Sequence, residues 1–431
     1  MSTAAQPRPT IHPGDALSRR SRVLYVIVLG ALVALGPFTI DLYLPAFPVV
    51  ADELRASEAA IQLTLTATMI GFGLGQLVIG PWSDTIGRRL PLVLATAVHV
   101  GASLGVAFSP DITWVIVFRV LQGIGAAGGS VVAMATVRDL FGGQPLVRML
   151  SRLALVTSLA PILAPVIGSQ LMLVLDWRGL FVVLAGYGVV IVVLAATLIA
   201  ETLPPERRRI RGHSTTAQRY KAVLSDRVFV GVALIAGLMF SGLFAYLSSS
   251  SFVFQAVYGF DAQQYGILFA GNSLGLAVSS QVASRLMRRF APPRILAFSL
   301  PVMALAGLTA AASAWLELGL APVLAATFVF LSCAGLSFPC IQVTALAPHG
   351  AEAGTAAALL GAINFGLASI AAPVVGAFGT ESAIPMGLGM GIPLTVAVVL
   401  LWVIVRPQSS RPIADDEPAA HEPVERGAAA H

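Results

Sequence analysis

The chain has 431 residues, of which 57% are hydrophobic and only 11% are charged. An average soluble domain has roughly 45–50% apolar and about 25% charged residues, so this composition excludes an ordinary water-soluble protein. The net charge of +5 is scattered between apolar runs, whereas nucleic-acid-binding proteins collect basic residues on one face of a folded domain, so we expect no nucleic-acid partner.

Twelve apolar runs follow one another along the chain, and each has roughly the 20 residues that cross a hydrocarbon core about 30 Å thick. The predicted spans are residues 23–46, 59–81, 90–108, 112–135, 153–175, 179–200, 228–250, 265–285, 294–316, 322–345, 355–378 and 384–405. The first run follows several arginines as a signal peptide does, but it is longer than a signal-peptide core and lacks a small-residue cleavage site. We therefore expect a retained first helix in an all-α polytopic membrane protein.

The longest hydrophilic interruption, residues 201–227, divides the twelve runs six and six. The predicted organisation is a cytoplasmic N-terminal tail at 1–22, an N-terminal six-helix bundle at 23–200, a cytoplasmic linker at 201–227, a C-terminal six-helix bundle at 228–405 and a cytoplasmic tail at 406–431. The tail is rich in Pro, Ala and acidic residues, which predicts disorder. A weak echo between residues 80–89 and 284–290 is compatible with two related halves but does not establish a duplication.

Arginine is distributed very unevenly between the loops on the two sides of the membrane. If the loops alternate across the membrane, one side carries most of the basic residues, and the other side carries only Arg55 and Arg178. Because cytoplasmic loops carry an excess of Lys and Arg, the rich side is predicted to be cytoplasmic, with both termini on it. We expect the chain to be a multi-pass protein of a bacterial cytoplasmic (inner) membrane.

Away from the span ends, Asp41 is the only acidic residue inside a predicted span, and Arg119 is the only Arg or Lys. A charge in the hydrocarbon region is costly and indicates a functional site. Both residues lie in the half of the membrane away from the cytoplasm, where they can face one cavity. We predict that Asp41 carries a coupling proton and that Arg119 tunes Asp41 and donates hydrogen bonds. The alternative is a fixed ion pair locking the first helix to the fourth, although such a pair gains little over apolar side chains.

Other polar or aromatic side chains within the spans are candidates for a substrate cavity. They are Gln62, Thr66, Gln122, Phe240, Phe244, Tyr246, Asn272 and Asn364. The sequence leaves open which polar residues form interhelical hydrogen bonds instead, and whether the aromatic ones face lipid. His99 is a second candidate for a titrating group, although a lone histidine on an apolar helix is more often a hydrogen-bonded packing residue.

The sequence offers no sign of metal or enzyme chemistry. Cys333 and Cys340 are seven residues apart, a rise of roughly 10 Å along a helix, which exceeds the reach of a disulfide. No paired ligand spacing surrounds them, so we expect packing roles and no metal site. HExxH and GxxxxGK[ST] patterns are absent from the chain, so we predict no enzymatic activity, no cofactor, and energy from the proton gradient in place of ATP.

Five stretches of the chain carry a resemblance to a known family. They are TIDLYLPAFP at 39–48, GQLVIGPWSDTIGRR at 75–89, FRVLQGIGAA at 118–127, SLAPILAPVIG at 158–168 and AGTAAALLGAINFG at 353–366. Over residues 23–405 the chain resembles the major facilitator superfamily, and specifically its drug:proton antiporters of the bicyclomycin and chloramphenicol resistance (Bcr/CflA) branch. The resemblance implies the major facilitator fold, in which two six-helix bundles rock about a site near the membrane midplane.

The resemblance also implies roles for individual residues. The stretch at 75–89 is similar to a gating motif, whose characteristic residues are here Gly80, Asp84, Gly87, Arg88 and Arg89. The stretch at 118–127 gives Arg119 a part in proton coupling, and the stretch at 39–48 places the acid at Asp41. The stretch at 158–168 occupies the place of the antiporter motif, with Pro161, Pro165 and Gly168, and it favours export.

These patterns predict proton-coupled efflux of small drug-like molecules by alternating access, as a multidrug or phenicol-type (chloramphenicol-like) antibiotic exporter. One alternative is a proton-coupled transporter of an endogenous metabolite such as a sugar, nucleoside or amino acid, and another is a non-transporting sensor or scaffold. The antiporter motif favours export over the metabolite transporter. The expected partners are a small-molecule drug, protons and the lipid bilayer, and we expect the monomer to be the functional unit.

Overall fold

The computed structural model describes residues 13–205, 221, 223–348, 353–379 and 381–406. Most of the predicted linker and the predicted disordered tail after Arg406 lie outside these residues, as does the first half of the predicted N-terminal tail. The two ends of the molecule are distinguished below as the arginine-rich end, which carries Arg88 and Arg89, and the opposite, arginine-poor end.

Twelve helices in the described part of the chain are long and apolar enough to cross a membrane. They are α1 (Arg19–Asp41), α2 (Glu58–Ile86), α3 (Arg89–Ala107), α4 (Ile112–Leu140), α5 (Gly143–Leu171), α6 (Trp177–Leu198), α7 (Arg227–Phe252), α8 (Ala262–Leu286), α9 (Pro292–Trp315), α10 (Leu320–Leu346), α11 (Ala353–Ala377) and α12 (Ile384–Leu400). A short helix, Phe47–Glu53, lies between α1 and α2. The twelve predicted spans and the all-α class are confirmed, and the described residues form no strand.

Capping side chains start several helices at the arginine-poor end. Asp111, Asp176 and Asp261 accept hydrogen bonds from backbone N–H groups in the first turns of α4, α6 and α8, and Ser57 does the same for α2. These N–H groups have no partner inside the helix, so a side-chain oxygen at this position stabilises the helix start. The acidic loop residues therefore have a structural role at the membrane surface.

The first predicted span is longer than the helix that forms there. The apolar run extends to residue 46, but α1 ends at Asp41. Pro45 cannot donate a backbone hydrogen bond to Asp41, and a proline disfavours helical geometry in the residue before it. Conversely, α2, α4 and α5 continue past the predicted spans at the arginine-rich end, because helical hydrogen bonds persist where the sequence is no longer apolar.

The two sets of six helices repeat one pattern of neighbours. In the N-terminal bundle, α4 packs on α2 and α3, α3 packs on α6, and α1 packs on α5. In the C-terminal bundle, α10 packs on α8 and α9, α9 packs on α12, and α7 packs on α11. This correspondence supports a duplicated architecture, which the weak sequence echo did not establish.

The bundles meet along two seams, where α2 packs on α11 and α5 packs on α8. Hydrogen bonds join the two bundles in the arginine-poor half: Thr66 Oγ1 to Ser369 O at 3.3 Å, Gln255 Nε2 to Pro45 O at 3.1 Å and Gln263 Nε2 to Ser169 O at 3.2 Å. The Phe47 and Phe252 rings also meet across the bundles, with centroids 5.8 Å apart. The structure is therefore closed at the arginine-poor end.

The outer faces of the helices expose large apolar side chains. Examples are Val78, Leu155, Ile267, Phe298 and Leu305, each more than half exposed. Contiguous apolar surface of this extent is avoided by soluble monomers. Because backbone polar groups are paired inside the helices, such a surface suits the hydrocarbon region of a bilayer.

Candidate functional site

The C-terminal end of α1 lies deep between the two bundles. Asp41 is 5% exposed, and Tyr43, Leu44 and Phe47 after it are fully buried. The last carbonyl groups of a helix have no N–H partner within it, and a cation there is favourable. Arg119 of α4 fills this role, because its Nη1 donates to the Thr39 carbonyl at 2.8 Å.

Arg119 is completely buried. Its Nη1 also donates to Gln122 Oε1 at 2.7 Å, and its guanidinium lies 4.9 Å from the centroid of the Tyr43 ring and 5.8 Å from that of Phe181. Its Nε and Nη2 have no hydrogen-bond partner within the described residues. Arg119 therefore braces the end of α1 while keeping two donors for a carbonyl or carboxylate group.

Asp41 and Arg119 come together without forming a direct ion pair. Both residues are described, and neither takes part in a salt bridge with the other, although their charges interact at longer range. The direct ion pair of the alternative is therefore absent, and Arg119 links α4 to α1 through the Thr39 carbonyl and not through the carboxyl. Asp41 also lies within electrostatic range of Tyr246 and Tyr265 in the other bundle.

A cluster of buried hydroxyl groups forms the side of the C-terminal bundle that faces Asp41. Asn272 Nδ2 donates to the Tyr246 hydroxyl at 2.9 Å, and the Ser250 and Tyr265 hydroxyls lie 2.9 Å apart. All four side chains are at most 2% exposed. The sequence singled out Tyr246 and Asn272 but missed Ser250 and Tyr265. The run of four serines at 248–251 inside an apolar span was the available signal.

The predicted aromatic residues of α7 face inward. Phe240 lies 6.4 Å from Phe244, 5.3 Å from Phe338 and 5.8 Å from Phe365, measured between ring centroids. Phe365 in turn lies 5.3 Å from Phe72 of the N-terminal bundle. The lipid-facing alternative is thereby excluded for Phe240 and Phe244, and an aromatic wall links the two bundles.

Of the polar cavity candidates, one belongs to a hydrogen-bond network inside the N-terminal bundle and others lie at the α2–α11 seam. Gln122 hydrogen-bonds Arg119 and Ser103 inside the N-terminal bundle. Gln62 and Asn364 are buried, and both amide atoms of Gln62 and Oδ1 of Asn364 have no partner within the described part of the chain. A Cβ at Gly376 of α11 would lie 2.8 Å from Gln62 Oε1. The Gln62 side chain therefore packs directly against the backbone of α11 in the opposite bundle.

The gating motif forms a network at the arginine-rich end. Gly87 has φ of 108°, which a residue with a side chain rarely adopts, so glycine is required for the turn between α2 and α3. Arg88 bonds Asp84 at 2.6 Å and Asp139 of α4 at 2.8 Å. Burial lowers the pKa of the Arg88 guanidinium, but its hydrogen bonds to these carboxylates outweigh burial, and the pKa lies above its ordinary value.

The same turn is also fastened to the end of α6. The backbone N–H groups of Arg88 and Arg89 donate to the Glu201 carboxylate, and the Arg89 side chain donates to the Ala196 carbonyl. The sequence identified the motif but not Asp139 or Glu201. Both residues lie far from it along the chain, and only folding brings them to it. Gly80 lies one helical turn before Asp84, and a Cβ at Gly80 would lie 3.3 Å from the Val131 side chain of α4.

The antiporter motif lies where α5 touches both α1 and α8. Pro161 and Pro165 are inside α5, where each removes a helical hydrogen bond. A Cβ at Gly168 would lie 1.9 Å from the Leu42 carbonyl oxygen. A Cβ at Gly266 of α8 would lie 3.3 Å from the Pro165 carbonyl. The motif thus sits directly beside Asp41 and on the seam between the bundles.

No group of three or more His, Cys, Asp and Glu side chains in the described part of the chain is placed to hold a metal ion. Cys333 and Cys340 are buried and unpaired.

Residues 27–373 match the family model of the Major Facilitator Superfamily. The chain belongs to this superfamily. Its members are transporters, which agrees with two six-helix bundles enclosing a buried polar site.

Curated relatives confirm the resemblance to the bicyclomycin and multidrug resistance branch. The chain is 35% identical to "Uncharacterized MFS-type transporter YdgK" of Bacillus subtilis (strain 168), over 90% of this chain and 96% of that protein. It is 28% identical to "Bicyclomycin resistance protein homolog" of Haemophilus influenzae, over 90% and 97%. It is 31% identical to "Multidrug resistance protein MdtL" of Vibrio parahaemolyticus, over 77% and 83%.

Solved structures confirm the fold. The crystal structure of a D-xylose-proton symporter superposes with a TM-score of 0.70 at 16% identity, covering 92% of this chain and all of that one. At this identity the similarity establishes the shared fold alone.

Proposed function

We propose that this superfamily member exports small drug-like molecules in exchange for protons. The observation that carries the proposal is the position of Asp41, a buried carboxyl without a direct ion pair, at the meeting point of the two bundles. A carboxyl in this position can change charge during the cycle, because no salt bridge must break first. The proton gradient supplies the energy, with no cofactor held by the chain.

Two features support export of drugs over transport of a metabolite. The antiporter motif contacts the residue immediately after Asp41, because Gly168 packs against Leu42. Movement of α5 therefore displaces the Asp41 carboxyl. The inward-facing rings of Phe240, Phe244, Phe338 and Phe365 offer an apolar, aromatic surface, which suits uncharged aromatic compounds such as phenicols better than polar sugars. Relatives named for bicyclomycin and multidrug resistance support the same substrate class.

Arg119 is assigned the second role in coupling. It stays charged, holds α1 through Thr39, and has two free donors. Arg119 forms no direct ion pair with Asp41, so its Nε and Nη2 are free for a substrate carbonyl while Asp41 is deprotonated. Antiport requires that the protonated and the drug-bound states exclude each other. We therefore assign drug binding to the state with Asp41 deprotonated and link proton release to drug binding.

The orientation follows from the arginine-rich end, which the proposal places in the cytoplasm of a bacterium, with both termini on that side. A reporter active only in the cytoplasm should work when fused at His213 or after Arg406 and fail at Asp111 or Asp261. Activity at Asp261 with none at His213 would reverse the assignment.

The substrate class is tested by a resistance panel in an efflux-deficient host, with chloramphenicol, florfenicol, bicyclomycin and a cationic dye. We expect raised resistance to at least one uncharged drug, abolished by an uncoupler of the proton gradient. Proteoliposomes should release protons when that drug is added. Proton movement driven by a sugar, nucleoside or amino acid, with no drug effect, would establish the metabolite transporter instead.

A further inference from the structure

His99 lies midway along α3 and is completely buried. Its Nε2 lies 2.8 Å from Thr39 Oγ1 of α1. That hydroxyl also donates to the Leu35 carbonyl at 2.6 Å. A hydroxyl has one hydrogen and a carbonyl can only accept, so the Thr39 hydroxyl donates its hydrogen to the Leu35 carbonyl. His99 must therefore be the donor in the other bond, which places its proton on Nε2.

The opposite ring nitrogen has different surroundings. His99 Nδ1 has no hydrogen-bond partner in the part of the chain that the structure describes. It faces Gly188 of α6, where a Cβ would lie 3.4 Å away. A proton on Nδ1 would find no acceptor there. The pocket therefore favours the neutral ring with its single proton on Nε2.

Two glycines make room for this histidine. A Cβ at Gly125 of α4 would lie 2.6 Å from the His99 backbone nitrogen and 2.7 Å from its Cβ. With Gly188 on the other side, the ring is held between α4 and α6 while its Nε2 points at α1. Such close backbone approach restricts the ring to this direction.

The bond to Thr39 belongs to a closed ring of hydrogen bonds around Arg119. Arg119 Nη1 donates to the carbonyl of Thr39 and to Gln122 Oε1. Gln122 Nε2 donates to Ser103 Oγ at 2.8 Å, and Ser103 Oγ donates to the His99 carbonyl at 2.7 Å. Thr39 is therefore held twice, by His99 at its side chain and by Arg119 at its backbone, two residues before Asp41.

We propose that His99 is a positioning residue for proton coupling, which, with its proton on Nε2, holds Thr39 and so fixes the end of α1 that carries Asp41 relative to Arg119. In this role His99 carries no transported proton. The proposal rests on the proposed function for its effect on transport, but the tautomer and the contact with Thr39 can be measured without any transport.

The first test is spectroscopic. Protein labelled with ¹⁵N-histidine, reconstituted in lipid at neutral pH, should give one histidine signal that is absent from His99→Gln and has its proton on Nε2 with Nδ1 bare. Thr39→Val should shift that signal, because the bond to Oγ1 is lost. A proton on Nδ1, or a signal unmoved by Thr39→Val, would overturn the proposal.

The second test uses drug-driven proton release at equal amounts of folded protein. His99→Leu should slow release on the order of fivefold, as expected for one lost hydrogen bond that orients the site. The Nε2 of a glutamine amide can occupy the place of the histidine Nε2, so His99→Gln should restore most of the rate. Thr96→Val is the matched control and should keep the wild-type rate, because this buried threonine of the same helix donates to the Leu92 carbonyl and, among the described residues, to no other group.

Thr39→Val should slow release as much as His99→Leu, and the double variant should be no slower than either, because both remove one shared bond. Additive losses, or a His99→Gln rate as low as that of His99→Leu, would contradict the positioning role. If the wild-type protein releases no protons with any drug, the proposed function fails, and the spectrum still decides whether His99 holds Thr39.

Discussion

At the scale of single residues, Asp41 and Arg119 do different work although they share one pocket. Arg119 is committed to Thr39, Gln122 and the Tyr43 ring, so it is part of the framework as well as the site. Asp41 is buried but forms no salt bridge with Arg119. The two residues should therefore respond differently to substitution.

Asp41→Asn should fold and lose uphill export. Asparagine mimics the permanently protonated carboxyl and leaves the bonds of Arg119 intact. Each elementary charge moved through the membrane potential is worth about 2.3 kcal/mol per 100 mV, and a neutral residue 41 no longer links that energy to substrate. Downhill exchange of drug should persist, because the seams and the aromatic wall are unchanged.

The measurement is twofold, namely the amount of folded protein in the membrane and substrate-induced proton release from loaded proteoliposomes. Asp52→Asn, which alters an exposed acid in the neighbouring short helix, is the matched control and should release protons normally. Wild-type proton release by well-expressed Asp41→Asn would remove Asp41 from the coupling mechanism.

Arg119→Lys should lose most transport and also some stability. A lysine ammonium keeps the charge, but it lacks the flat fork that lies over Tyr43 while reaching Thr39 and Gln122. We expect a lower melting temperature in detergent together with at least tenfold slower drug-driven proton release. Full resistance in cells at normal expression would limit Arg119 to a replaceable cation.

At the scale of helices, close approach of α5 to α1 depends on Gly168. Its ideal Cβ position is 1.9 Å from the Leu42 carbonyl oxygen, which is backbone and cannot move aside alone. A few glycines in the helices have open space at their Cβ position instead. Gly186 of α6, for example, has no neighbour within 4 Å of its Cβ position.

Gly168→Ala should therefore destabilise the protein by about 1–3 kcal/mol, as overpacking typically does, and should displace α5 beside Asp41. Gly186→Ala should be neutral or stabilising by up to about 1 kcal/mol, because alanine is the better helix former. Thermal unfolding of the two purified variants measures the difference. Equal melting temperatures would show that α5 and α1 do not touch at this point.

At the scale of the whole molecule, alternating access requires the arginine-poor seam to open. The α5–α8 seam is closed around Ser169, which accepts a hydrogen bond from Gln263 and lies against Gly266. A Cβ at position 266 would lie 3.1 Å from the Ser169 Cβ, close to the Cβ separation of about 3.5–4.5 Å that a disulfide spans. A covalent link here would hold the two bundles in the closed arrangement.

Ser169→Cys combined with Gly266→Cys, in a chain with Cys333 and Cys340 replaced by alanine, should form this link under mild oxidation. Drug transport should then fall to background and return on reduction. Ser169→Cys alone in the same background is the control and should be insensitive to oxidant. A complete crosslink that leaves transport unchanged would show that this seam stays closed throughout the cycle.

The sequence by itself determined the twelve spans, because apolar runs of about 20 residues have one stable arrangement in a bilayer, a helix with all backbone groups paired. It also singled out Asp41 and Arg119, since a charge in hydrocarbon is rare enough to be visible without any contacts. The roles expected for the motifs around Arg88 and Pro165 came from their resemblance to those of a known family.

Only the tertiary structure decided what these residues touch. Arg119 meets a backbone carbonyl and not Asp41, His99 faces Thr39, and Ser250 and Tyr265 join the site. Such contacts join positions tens to hundreds of residues apart, and hydrophobic periodicity records only that a face is buried, without naming its partner. The duplicated packing of the two bundles escaped the sequence for a related reason: many apolar side chains fill the same interhelical space, so the pattern of neighbours persists where the residues themselves do not.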